Sequence, residues 1–302
     1  MHEAFAQALG VRVTDAYGHA VPNVVVTFTA PTDGASAGLS SSTATSDANG
    51  LASVVATANA IAGSYTVSAS IKGVASIASF ALTNTPGAPA AIASTGGTPQ
   101  SAAVGQPFAQ ALAVRVTDAD GNPIAGASVQ YAVPSSGASA VLSAASAVTD
   151  SNGDASVSAT ANSIAGGYVV DAAIGDVSAS FALTNLPGPA AITLAIAGTP
   201  QSAVVNQMFG QLLKVQVNDA DGNPVPNALV TFVAPVSGAS AVISPSSVMT
   251  DMGGQAGVSA TANAIVGSYE VTANVDGAAI PAVFELTNTI DTSDVIFADG
   301  FE

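Results

Sequence analysis

Apolar and polar positions alternate along most of the chain with the period of two that belongs to β-strands burying one face. In the middle third the apolar runs are Val114/Val116, Val129/Tyr131/Val133, Val157 with Ala159, Tyr168/Val170/Ala172 and Phe181/Leu183. No stripe at helical spacing competes with them. Between the runs stand Asp118-Ala-Asp-Gly-Asn-Pro123, Asp150-Ser-Asn-Gly153 and Ile174-Gly-Asp176. Gly and Asn accept positive φ and Pro presets its own φ, so each of these segments reads as a turn. Short strands about ten residues apart, separated by such turns, predict an all-β sandwich.

The pattern occurs three times. Asp15, Asp118 and Asp219, each behind a Val-x-Val segment, lie 103 and 101 residues apart. The segment Thr57-Ala-Asn-Ala-Ile-Ala-Gly-Ser-Tyr65 returns at Thr160 to Tyr168 and at Thr261 to Tyr269, and each unit closes on a phrase like Phe80-Ala-Leu-Thr-Asn84, at Phe181 to Asn185 and Phe284 to Asn288. A period near 100 residues is too long for a solenoid and is the size of one independent sandwich domain. The recurring Tyr65, Tyr168 and Tyr269 follow a Gly-containing corner and begin a strand, the placement of the tyrosine corner of immunoglobulin-type sandwiches. This predicts a half-buried ring whose hydroxyl bonds nearby backbone, in preference to an exposed binding aromatic.

On these phrases the chain resembles the group 1 bacterial Ig-like modules of the invasin and intimin adhesins. The matching stretches are V-x-V-x-D-A-D-G-N-P at Val114 to Pro123 and at Val215 to Pro224, T-D-x-N-G-x-A at Thr149 to Ala155, and A-G-x-Y-x-V-x-A at Ala165 to Ala172. The first unit departs from the pattern, reading Asp15-Ala-Tyr-Gly-His-Ala20. The resemblance covers nearly the whole chain except its tail. It implies tandem immunoglobulin-like β-sandwich domains arranged as an extended rod, stacked outside the cell to hold an adhesive tip away from an outer-membrane anchor.

The units read as 1–86, 87–187 and 188–289, followed by an acidic tail at 290–302. Linkers Asn84-Thr-Pro-Gly-Ala-Pro89 and Asn185-Leu-Pro-Gly-Pro189 are short, and Pro holds them extended, so neighbouring domains should sit end to end with limited swing. The first unit has only four residues before Phe5, where the others carry Ala90 to Val104 and Ala190 to Val205 before Phe108 and Phe209. Its opening strand is therefore expected to be missing, leaving a sheet edge prone to recruit other strands and the least stable of the three cores.

Composition narrows the function. Charged residues make up 8% of the chain, against about a quarter in ordinary soluble domains. Four basic residues (Arg12, Lys72, Arg115, Lys214) face twenty carboxylates, for a net charge of -16, so no basic cluster exists to neutralise a run of phosphates and nucleic acid is excluded as a partner. A mean hydropathy of +0.50 comes from Ala and Val, and with no stretch of about 18 apolar residues direct membrane insertion is not expected. The absence of Cys removes disulfides, thiolate catalysis and Cys-based zinc sites. The acidic, Lys-poor, hydroxyl-rich surface resembles that of exported bacterial repeat proteins. The start, Met-His-Glu-Ala-Phe, lacks a basic segment followed by an apolar one, which implies either that the protein is not exported or that the chain is a fragment.

The carboxylate-rich turns are the one candidate site. Asp118/Asp120/Asn122 and Asp219/Asp221/Asn223 offer hard oxygen ligands of the kind calcium uses, but Gly at the fourth position and no Glu at the twelfth depart from an EF-hand. The same residues are what a tight turn requires, and this reading is the stronger. The two histidines, His2 and His19, stand near the start and in a turn where the other units carry Asn122 and Asn223. No Ser or Thr is placed with a base, and paired-carboxylate chemistry at Asp118 and Asp120 is a poor fit to a duplicated turn. Catalytic, cofactor-binding and metal-binding residues are all expected to be absent, with no enzymatic activity and no cofactor. The tail Asp291 to Glu302 looks like the short acidic tails closing on Asp-Gly-Phe-Glu of exported proteins in some gammaproteobacteria. It is either frayed or read through Val295-Ile-Phe297 and Phe301 by an export or sorting partner.

The expected function is a non-enzymatic spacer of a surface or secreted adhesin-like protein of a Gram-negative bacterium. Its binding partner would be a host or neighbouring-cell protein or glycan. The alternative is a glycan- or protein-binding accessory module of a larger secreted enzyme.

Overall fold

A computed structural model describes residues 1–291, and every regular element among them is a β-strand. Strands pair only with strands of the same repeat, giving three sandwiches in a row. In module 2, one sheet runs Gln100–Ala103, Val177–Leu186, Gly166–Ile174, Ser128–Ala132, Ser146–Val148. The opposing layer is formed by Asp154–Val157, Leu112–Thr117 and Ala91–Gly96, with the short pair Ala140–Leu142 and Ala159–Ala161 beside it. Module 3 repeats this order from Ile192–Ala197 to Ala282–Thr289.

The alternation seen in the sequence is the alternation of burial. Leu112, Val114 and Val116 are fully buried on one strand, Val129 and Tyr131 face them from another, and Phe181 and Leu183 close the layer between. Each module carries one aromatic pair at this level, Phe28 with Phe80, Tyr131 with Phe181 and Phe232 with Phe284, with ring centroids 5.9–6.4 Å apart. Burying one such ring contributes about 2–3 kcal/mol, so each small core leans on a few large side chains, Phe108, Leu112, Tyr131, Phe181 and Leu183 in module 2, among many Ala and Val.

The opening strand of modules 2 and 3 serves both sheets. Ala91–Gly96 runs antiparallel to Leu112–Thr117; after the crossing at Gly97 to Pro99, Gln100–Ala103 runs parallel to Val177–Leu186. The Gln100 amide fastens the crossing by donating to the carbonyls of Gly97 and Gln110, both at 2.9 Å, while its carbonyl accepts the Gln110 N–H. In module 1, among the described residues, Leu9–Arg12 pairs only with Leu51–Val54 and Ile77–Asn84 only with Gly63–Ile71. Phe80 and Leu82 are accordingly half-buried, where Phe181, Phe284, Leu183 and Leu286 are fully enclosed.

One turn glycine is fixed by contact as well as by φ. Gly153 sits at φ 76°, and a Cβ there would fall 2.5 Å from the Val116 carbonyl oxygen. Asp150 supports the same turn by accepting the N–H groups of Asn152 and Asp154.

Candidate functional site at the module junctions

The Asp-rich turns lie where one module meets the next. In the turn Asp118–Asn122, the Asp118 N–H reaches the Asn122 carbonyl at 3.0 Å and Gly121 N–H reaches the Asp118 carbonyl at 3.1 Å. The Asp118 carboxylate accepts the N–H groups of Asp120 and Asn122 through Oδ1, and the Asn122 amide lies over both of its oxygens at 3.0–3.1 Å. That is local turn chemistry. What remains of both side chains points out of the module.

Asp118 Oδ2 accepts the N–H of linker residue Gly87 at 2.9 Å. Asn122 Oδ1 accepts Ala62 N–H at 2.8 Å, and Asn122 Nδ2 donates to the Ala60 carbonyl at 2.9 Å, so one side-chain amide pairs with a loop of the preceding module as a strand neighbour would. The second junction reproduces the set: Gly188 N–H to Asp219 Oδ2, Ala165 N–H to Asn223 Oδ1, and Asn223 Nδ2 to the Ser163 carbonyl, all at 2.8–2.9 Å. Asp118, Asn122, Asp219 and Asn223 are all buried. Burial alone disfavours the charge on Asp118 and Asp219, but the donors from the linker glycine and the Asn outweigh it and hold both carboxyls below the ordinary 3.8.

The receiving loop is itself held from behind. Asn84, buried at the end of its strand, donates to the carbonyls of Ser36 and Ile61 and to Asn59 Oδ1, and accepts the Tyr65 hydroxyl at 3.0 Å. Asn59 Oδ1 accepts Ile61 N–H in turn. Asn185 with Tyr168 and Asn288 with Tyr269 repeat the arrangement. Polar contacts therefore run from the tyrosine through two Asn residues and the loop into the Asp–Asn clamp of the next module. The tyrosine hydroxyl goes to an Asn side chain, not to backbone as the corner placement suggests, because the buried Asn needs a donor for Oδ1 once its own amide is spent on three carbonyl oxygens. Burial pushes the Tyr168 and Tyr269 hydroxyls up to about 12, so they remain protonated donors.

The two histidines have different settings. His2 is not a loose end: its Nε2 lies 3.2 Å from Asp120 Oδ1 of the next module. His19 Nδ1 lies 3.1 Å from Asp15 Oδ2 inside the first unit's own turn, whose Tyr17 is exposed. Asp15 is held below its ordinary value, chiefly by the His19 N–H. No group of three His, Asp or Glu side chains suited to a metal ion occurs among the described residues, and no helix there is long and apolar enough to cross a membrane. The tail motif, Val295 to Phe297 and Phe301, lies outside the described residues.

The clamps carry a pH dependence. A carboxyl whose folded value lies below its ordinary 3.8 contributes stability that is fully present above that value and is lost as pH falls through the folded one. The module 2–3 junction, where Gly105 stands in the place of His2, isolates the effect. Its geometry is expected to hold from neutrality to about pH 4 and loosen below; small-angle scattering that shows loosening already at pH 6 would contradict the assignment.

The family model for the bacterial Ig-like domain (group 1) matches residues 6–85, 100–186 and 193–287. The inverse autotransporter adhesin YeeJ of Escherichia coli K12 is 32% identical over 266 residues, which is 85% of this chain but 11% of that protein. The chain thus spans about a tenth of the length of this relative. Among solved structures, the adhesin FdeC of Escherichia coli superimposes with a TM-score of 0.55 at 18% identity, over 94% of this chain and 92% of that one. InvD of Yersinia pseudotuberculosis gives 0.55 at 19% identity, over 94% and 93%. At these identities the structural likeness speaks for the fold: immunoglobulin-like modules in tandem.

Proposed function

Because this chain belongs to the family of group 1 bacterial Ig-like domains, we propose that it is a non-enzymatic spacer of a surface adhesin, with modules at 1–86, 87–187 and 188–289. The observation that carries this reading is the pair of matched clamps: buried Asp and Asn side chains that grip the preceding linker and loop at both junctions. A chain whose task is reach needs junctions that resist folding back, and these polar turns serve that end instead of holding a metal or a substrate. The adhesin relatives favour a stalk over an accessory module of a secreted enzyme. The stalk would stand outside a Gram-negative cell, with a protein or glycan of a host or neighbouring cell as the partner of the whole protein. Neither nucleic acid nor anionic lipid suits a chain with net charge -16.

With strands of about seven residues at ~3.3 Å each plus loops, a module is about 35 to 40 Å long and three of them span about 105 to 120 Å. Small-angle scattering is expected to give a maximum dimension near that figure. A compact, near-spherical particle would overturn the spacer reading.

A further inference from the structure

The strand Ile192–Ala197 of module 3 is inside out. Ile192, Leu194 and Ile196 are exposed, while Thr193 and Ala195 face the core. In module 2 the polarity is the ordinary one: Ile92, opposite Val116, packs on the core, and Ala91 and Ala93 are exposed. Thr193, opposite Val217, takes the place of Ile92. It is 6% exposed, and its Oγ1 has no hydrogen-bond partner among the described residues. A buried hydroxyl without a partner costs stability, and three aliphatic side chains left in water forgo the gain of burial. We propose that this strand is the contact through which two copies of the chain pair side by side, antiparallel about a two-fold axis at Thr193. The inference goes beyond the spacer reading and does not depend on it.

The fold dictates how two copies meet. Ile192–Ala197 is the edge of its sheet and pairs with Leu213–Asn218 on one side only, so its other side offers backbone groups to one more strand. With the axis at Thr193, Ile192 of each copy lies across from Leu194 of the other, which joins the two aliphatic stripes on the outer face. On the inner face the two Thr193 side chains come directly opposite each other, at the ~5 Å Cβ separation of a cross-strand pair. One hydroxyl donates and the other accepts, so each gains the partner that a single copy does not give it. Ile196 sits at the bulge between Ala195 and Ala197 and flanks the pair. Charge permits the approach. In a chain of net charge -16, the strands Ile192–Ala197, Leu213–Asn218, Gln255–Ala262 and Ala241–Ser244 hold no carboxylate and a single cation, Lys214. A six-residue edge is smaller than the roughly 800 Å² per partner of a standard interface, so the dimer is expected to be weak, half-formed near about 100 μM.

Sedimentation of the full chain from about 10 μM to about 1 mM is expected to pass from monomer to dimer, with new hydrogen-exchange protection in Ile192–Ala197. The chain has no Cys, so a single spin label on exposed Gln255→Cys, level with Leu194 across Gln216, reports the pairing. Five strand spacings of ~4.8 Å place the two labels about 25 Å apart in the dimer. Leu194→Lys is expected to abolish the dimer and leave the melting temperature of module 3 unchanged, because the residue is exposed. Thr193→Val keeps the shape and removes the hydroxyl; it is expected to weaken pairing about fivefold while raising the melting temperature of the monomer. A monomer at about 1 mM, a dimer that survives Leu194→Lys, pairing unchanged by Thr193→Val, or labels far from about 25 Å apart would each overturn the proposal. Protection of Ile192–Ala197 in a monomer at every concentration would give the edge to another segment of the same chain and overturn it as well.

Discussion

Replacing Asn288 by Ala is expected to destabilise module 3 by about 2–4 kcal/mol, because it removes four hydrogen bonds made by one enclosed side chain. The carbonyls of Ser240 and Ile265, Asn263 Oδ1 and the Tyr269 hydroxyl each lose a bond of 2.9–3.0 Å, while the Ser240 carbonyl keeps the Asn263 N–H and Asn263 Oδ1 keeps the N–H groups of Ser240 and Ile265. Asn288 is fully enclosed, so water does not replace the lost side chain without opening the strand end. For a domain of this size the loss corresponds to a fall of about 10 °C or more in melting temperature. Tyr269→Phe removes only the hydroxyl contact to Asn288 Oδ1 and is expected to cost about 1 kcal/mol. Calorimetry of both variants checks the order. Equal, small effects would mean that Asn288 fills space without organising the loop.

Asn223→Ala should leave the three sandwiches folded and set module 3 swinging against module 2. The variant loses the paired bonds to Ala165 N–H and the Ser163 carbonyl, worth about 2 kcal/mol of docking, which shifts the docked-to-open ratio about thirtyfold. The chain has no Cys, so spin labels on Asp176→Cys and Ala279→Cys, both exposed positions, report on this junction alone. A narrow distance distribution in the parent should broaden in the variant. An equally narrow one would show that the linker backbone alone holds the angle.

Much of this architecture was legible in the sequence, for a physical reason. Strand alternation, turn glycines and the recurrence of whole phrases are local properties, and local rules read them. The same rules read Asp118-Ala-Asp-Gly-Asn122 as a turn and go no further, because the groups that complete it lie far upstream: Gly87 some 30 residues back in the linker, and the loop Ala60–Ala62 some 60 residues back in the preceding module. Asn84, Asn185 and Asn288 were visible only as the last letter of a recurring phrase. The signal was present: an amide closing an otherwise apolar strand in all three repeats must be buried and must therefore find partners. The role of His2 at a junction had no sequence signature at all. Calcium looked open from composition, whereas the geometry aims backbone and amide donors at the Asp118 carboxylate.

The two-sheet opening strand decides how a module bears tension. A pull along the array enters module 2 ahead of Ala91 and leaves beyond Leu186, and the segment Gln100–Ala103 runs parallel to Leu183–Leu186. Opposite pulls on two parallel neighbours slide one past the other, so the rungs between them strain together and none opens ahead of the rest. The Gln100 amide and the Thr98 hydroxyl stand at the start of that patch and tie it to the body of the sandwich. Module 3 has the same arrangement in Gln201–Val204 against Leu286–Thr289. Each of these modules is thus expected to bear tension in shear along this parallel patch, with the crossing tied to the body of the sandwich just ahead of it.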